Sequence, residues 1–226
     1  MRYGKGTSEL VHRLHDDGIG HMFVIMRHGD RHFDPDNPDT ERFMGLTEAG
    51  KADALTFGLS LPYGPSFRFF SSSIGRCIET AFQIEKGCIK NGAETQVNKL
   101  AGPLTGFFSG GPGAFLTARE MGADAFFEAW FGGDLDDSVM ANADDAALRT
   151  AEFVRRKLAD GDSQIDIGAS HDWNLYLLRH TLLGQTRADV GDVEYLHGMA
   201  FYERDGVLHG ATEFGDPQPL LLGSTR

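Results

Sequence analysis

Cysteine is almost missing from this chain of 226 residues: only Cys77 and Cys88 occur. They stand about three turns apart on one predicted helix, too far for a disulfide, which fits a reducing compartment. Long apolar runs are missing too, and none approaches the roughly 20 residues of a membrane-spanning helix. The opening residues, MRYGKGTSELVHRLHDDG, hold no apolar core of a secretory leader, so the expectation is a cytoplasmic protein with no membrane partner. Positive charge is also short. Lys and Arg number 21 against 33 Asp and Glu, a net charge of -12, which disfavours nucleic acid as a partner. Any anion site must therefore be a local gathering of positive groups.

What is present reads as a globular domain. The apolar share of 41% and charged share of 24% are ordinary, and the length suits one domain over 1–226 with a sizeable core. HMFVIM (21–26), FRFF (67–70) and QIDIGA (164–169) predict strands, with a shorter one near 95–98. Helices are predicted at about 7–16, 48–60, 74–90, 114–131, 143–160 and 172–183. Thr47 caps the second of these, with Glu48 in its first turn as the helix dipole favours. EYLHGMAFYE and GVLHGATEF predict a hairpin about Asp205-Gly206. Strands alternating with helices predict an α/β fold with a mostly parallel sheet, whose carboxyl-end edge is where ligands gather.

Three strands end alike. HMFVIM runs into Arg27-His28-Gly29, FRFF into Ser71-Ser72-Ser73 and then Arg76, and QIDIGA into Ser170-His171-Asp172. If the strands are parallel neighbours, two arginines, two histidines and several hydroxyls meet at one sheet edge. Helix N-termini follow the second and third strands and add backbone N–H groups. Such a pocket suits a compact, doubly charged anion, and phosphate fits best.

These residues carry a resemblance. RHG after the first strand, LTEAG at 46–50, SSIGRCIETA at 72–81 and SHD at 170–172 resemble, in order and spacing, the motifs of the histidine phosphatase (phosphoglycerate mutase-like) superfamily. The resemblance implies a three-layer α/β/α sandwich and a phosphomonoester hydrolase that needs neither metal nor cofactor. His28 would attack phosphorus and become phosphohistidine, a task suited to a neutral imidazole. Arg27, Arg76 and His171 would hold the phosphoryl oxygens, with Ser72 also on substrate, each such group contributing roughly 3–4 kcal/mol. The partner would be a small phosphorylated metabolite.

The leaving alkoxide needs a proton. In one branch of the superfamily the acid follows the helix of the second arginine. Here that stretch, TQVNKLAGPLTGFFSGG (95–111), holds no carboxylate. In the acid phosphatase branch it is the Asp after the second histidine, which makes Asp172 the candidate. Glu120, Asp124 or Glu128 could serve instead, and Asp172 has a plain reading as a helix cap. The same branch has RHGxRxP; Arg31 matches its second arginine as a further phosphate ligand, but Phe33 replaces the proline. Two rivals stay open: a mutase moving phosphate on sugar acids, and a phosphate-ester sensor without turnover.

Residues 101–141 form an insert rich in glycine and phenylalanine, including Phe107, Phe108, Phe115, Phe126 and Phe127. One reading is an apolar stripe packed on the sheet, Phe115 within it; the other is a cap over the pocket that suits an apolar or ring-shaped leaving group. His12 and His15 read as solvated helix residues, and nothing in the sequence decides whether His197 and His209 pack or face the site.

Overall fold

The computed structural model describes residues 1–34, 36, 40, 43–106, 113–161 and 163–220; Phe107 and Phe108 lie outside them. Seven strands form one sheet: β1 (His21–Arg27), β2 (Ser66–Ser71), β3 (Thr95–Leu100), β4 (Gln164–Ser170), β5 (Gly198–Arg204), β6 (Val207–Ala211) and β7 (Gln218–Pro219). Their order is β3-β2-β4-β1-β5-β6-β7. The first four are parallel, and β5, β6 and β7 join antiparallel.

Strand β1 is apolar on both faces because helices cover both. Met22, Val24 and Met26 pack with α1 (Lys5–Asp16), α2 (Glu48–Leu59) and α3 (Gly75–Lys90). Phe23 and Ile25 pack with α5 (Ala123–Gly132), α6 (Ala143–Leu158) and α7 (Asp172–Leu183). The result is the α/β/α sandwich, completed by α4 (Gly113–Met121) and a short α8 (Arg187–Val190). Among the described residues no helix is long and apolar enough to cross a membrane.

Three features differ from expectation. The helix expected at 114–131 is two, α4 and α5, broken at Gly122 with φ 85°. The hairpin turns at Asp205 (φ 54°) and Gly206 (φ 76°), as Asp-Gly predicts. Its first strand, however, starts only at Gly198, because Leu196 has φ 58° and interrupts extended backbone. The third is exposure: Phe115 lies 44% open, while Phe126, Phe127 and Trp130 are buried in the core.

A buried ion pair ties β2 to β4 away from the predicted site. Arg68 donates to both oxygens of Asp166, at 2.7 and 2.6 Å, and to the carbonyls of Lys157 and Asp160. Asp166 is wholly buried, and its remaining neighbour is His21 at 3.4 Å. Arg68→Met keeps the packing but strands the carboxylate, so the unfolding free energy should fall by about 3–5 kcal/mol in urea titration at neutral pH. A loss below ~1 kcal/mol would show the pair to be dispensable.

Candidate active site

The register of the sheet brings the three predicted strand ends level. Strand β4 lies between β1 and β2, with Arg27 opposite Ser170 and Ser71 opposite Ala169. Backbone bonds extend this alignment past the strands, from His28 N to Ser170 O and from Ser72 N to Ala169 O, both at 3.0 Å. Arg27-His28, Ser72 and His171 therefore converge, and Arg76 joins them from the first turn of α3.

His28 is 2% exposed. Its Nδ1 lies 2.8 Å from Gly29 O, and Arg76 Nε donates to its Nε2 at 3.0 Å. A carbonyl can only accept and a guanidinium can only donate, so both partners demand the same tautomer: proton on Nδ1, lone pair on Nε2. Burial first, then Arg76, His171 and Arg27, holds this imidazole well below its ordinary 6.5. The ring is neutral at pH 7.

The loop behind His28 is clamped. Gly29 N donates to Thr80 Oγ1 at 2.9 Å, and Thr80 Oγ1 donates to Arg76 O at 2.7 Å, so one hydroxyl joins the two predicted phosphate-binding segments. Thr47 caps α2 through Gly50 N at 2.9 Å and also donates to Asp30 Oδ2 at 3.2 Å. Gly50 is required here: a Cβ on it would stand 2.1 Å from Asp30 O. That contact is the physical reason for glycine in LTEAG.

His171 packs edge-on to His28, ring centres 5.7 Å apart. Its Nε2 is 3.0 Å from Ser72 Oγ, which also accepts from Ile74 N. Burial, then Arg76, Arg27 and Arg31, pushes His171 down to about 3, so it too is neutral. Ser72 is wholly buried, with its hydroxyl on His171. Cys77 is buried in the same corner, its thiol pushed up to about 12 by burial.

Arg27 is gripped on several sides. Its Nη1 donates to Val193 O at 2.7 Å, and its Nη2 pairs with Asp172 Oδ2 at 3.0 Å. Its guanidinium lies over the Tyr195 ring at 4.2 Å, while its Nε is buried without a hydrogen-bond partner among the described residues. Asp172 opens α7, and its Oδ1 accepts from Trp173 N at 2.9 Å. The cap position of α7 is His171, not Asp172, which stands in the first turn; of its two expected characters the structure has the close neighbour of the predicted phosphate ligands. Arg31 lies over the Phe33 ring at 5.0 Å and is close enough to help lower His171.

Other candidates lie elsewhere or are engaged. Asp124 and Asp192 both pair with Arg187. Glu120 and Glu128 are exposed on α4 and α5. His197 contacts Glu213 at 3.4 Å, and His209 stacks on Tyr202. Sequence reasoning missed Tyr195, Val193 and the role of Thr80. Thr80 sat inside a quoted motif, whereas Tyr195 and Val193 carry no local signal.

No family model matches the chain, and no curated protein matches it by sequence. Solved structures match it by fold. YhfR of Bacillus stearothermophilus has a TM-score of 0.57 at 19% identity, over 87% of this chain and 98% of that one. A mycobacterial glucosyl-3-phosphoglycerate phosphatase has 0.56 at 17%, over 80% and 89%. A phosphoglycerate mutase from Bacillus anthracis has 0.56 at 15%, over 84% and 91%. The chain has the fold of the histidine phosphatase, or phosphoglycerate mutase-like, superfamily.

Proposed function

We propose that the chain is a histidine-dependent phosphomonoester hydrolase acting on a small phosphorylated metabolite. The observation that carries this reading is the state of His28: neutral, its Nδ1–H fixed on a carbonyl, its Nε2 lone pair facing a guanidinium. Arg76 donates to that lone pair. A bound phosphate would take the Arg76 donor onto a non-bridging oxygen and leave Nε2 free to attack. The N–P bond forms as the bond to the leaving oxygen breaks, and Asp172 supplies that oxygen's proton. Asp172 carboxylate then takes a proton from water, the resulting hydroxide attacks phosphorus, and neutral His28 departs.

Arg27, Arg76 and Arg31 hold the charge of the phosphoryl group, and preorganised donors of this kind are the largest source of rate in such transfers. We read Ser72 as orienting His171 rather than touching substrate, since its hydroxyl already bonds that ring. A substrate dianion competes with Asp172 for Arg27, which releases the carboxyl group toward the leaving oxygen.

The segment 101–141 acts as the cap in this reading. Trp173, next to Asp172, is half-buried and packs on the exposed Phe115, so the side of Asp172 toward the insert is aromatic. Arg119 is the one basic residue of 101–141, which favours an apolar leaving group over an acidic one and hydrolase over mutase. Purified protein should release phosphate from p-nitrophenyl phosphate and should not interconvert 2- and 3-phosphoglycerate. Interconversion would make it a mutase. Phosphate binding without turnover of any ester in a metabolite panel would make it a sensor.

A further inference from the structure

Three features outside the motifs meet beside Arg27. The first is the stack: Tyr195 presents its face to the Arg27 guanidinium at 4.2 Å, and its ring also touches His28 at 5.9 Å. Tyr3, from the segment before α1, packs edge-on against Tyr195 at 5.3 Å and 77°.

The second is strain. Leu196, the residue after Tyr195, is a buried non-glycine residue with φ 58°, a conformation that persists only where neighbours impose it. The neighbours are visible. Leu196 N donates to Arg27 O at 3.2 Å, and Thr7 Oγ1, from α1, donates to Leu196 O at 2.9 Å. Gly4, itself at φ 83°, lets the chain press on this point; a Cβ there would stand 2.9 Å from Leu196 Cβ.

The third lies across the loop. Arg2 pairs with Asp30 and with Asp53, each at 3.0 Å, so residues 2–7 reach both flanks of Arg27-His28-Gly29.

We propose that Tyr195, backed by Tyr3 and fixed by the Leu196 kink, is a positioning residue that sets the orientation of Arg27 toward phosphate. The inference rests on the phosphatase reading. An arginine side chain has many rotamers, and its Nη atoms alone are pinned by Val193 O and Asp172. Asp172 must release its grip when it protonates a leaving group. During that step the aromatic face keeps the guanidinium plane in place, since a ring quadrupole attracts a cation without using its N–H donors.

The test uses Tyr195→Leu, Tyr195→Phe and Tyr3→Leu with p-nitrophenyl phosphate as substrate and inorganic phosphate as inhibitor. Tyr195→Leu should raise KM and the phosphate inhibition constant about ten-fold. Tyr195→Phe, which keeps the ring, should restore both to within about two-fold. Tyr3→Leu should raise them about three-fold, because it only loosens Tyr195. A purely structural role would lower the melting temperature and leave both constants at wild-type values, which overturns the proposal. Equal damage from Phe and Leu also overturns it, since the hydroxyl would then be responsible. If Tyr195→Leu does not fold, Tyr3→Leu carries the test, and an unchanged inhibition constant overturns the idea. A wild-type protein that neither binds phosphate nor turns over the ester overturns both readings; one that does both, beside an unaffected Leu variant, overturns only this one.

Discussion

His28→Ala should lose phosphomonoester turnover by about a million-fold in kcat, the scale seen when a hydrolase loses its nucleophile. The imidazole is not one contributor among several here. In the proposed reaction it supplies the bond that splits a difficult displacement into two easier ones, and no other described side chain combines a neutral lone pair with contact to Arg76 and His171. Arg27, Arg76 and His171 remain in the variant, so inorganic phosphate should still bind it. That separates lost chemistry from lost folding. Wild-type protein quenched during turnover should carry phosphate that is labile in acid, as a phosphoramidate is. A variant retaining a percent of wild-type kcat, or an acid-stable phosphoprotein, would remove His28 as nucleophile.

The pH profile follows from the same geometry. Burial and the neighbouring cations lower His28 well below 6.5. With the folded-state value depressed, the nucleophile stays neutral as pH falls through the ordinary imidazole range and becomes protonated only below it. The free-enzyme profile of kcat/KM should therefore show no acid loss from an imidazole at 6.5, once the second ionisation of the ester, near ~6, is divided out.

Asp172→Asn should lower kcat/KM for esters of alkyl alcohols by about 10²–10⁴-fold while changing kcat/KM for p-nitrophenyl phosphate little, since that ratio reports phosphoryl transfer to His28 and not the later attack of water. An alkoxide needs a proton as it departs, and nitrophenolate leaves without one. Asparagine keeps the bond from Trp173 N but deletes the charge facing Arg27 at 3.0 Å. Phosphate should consequently bind the variant more tightly, since it no longer competes with a carboxylate for Arg27. An equal loss of kcat/KM for both esters would sink Asp172 as the acid and return attention to the insert, where Glu120 and Glu128 are exposed and Asp124 is paired with Arg187.

Legibility tracked the range of the interactions involved. HMFVIM was readable as a strand because burial on both faces selects a continuous apolar run, and FRFF and QIDIGA because aromatic and β-branched residues favour extended backbone. Thr47 was readable as a cap, and Asp205-Gly206 as a turn, because each answers a requirement of the few residues around it. The break at Gly122 and the late start of β5 were not readable. Glycine is tolerated inside helices, and nothing in EYLHG announces that Leu196 is forced to φ 58° by Thr7 and Arg27 from distant segments.

Amino-acid order alone established which groups stand at strand ends: Arg27-His28, Ser72 with Arg76, and His171-Asp172. It also established that phosphate-sized anions have few other places to bind on so acidic a chain. Folding in three dimensions established that β4 inserts between β1 and β2, which brings three separate endings together at one edge of the sheet. It also fixed the His28 tautomer and set Tyr195 against Arg27. Periodicity and capping are properties of neighbours along the chain, whereas strand order and side-chain packing depend on contacts between residues more than a hundred positions apart, such as Arg27 with Tyr195.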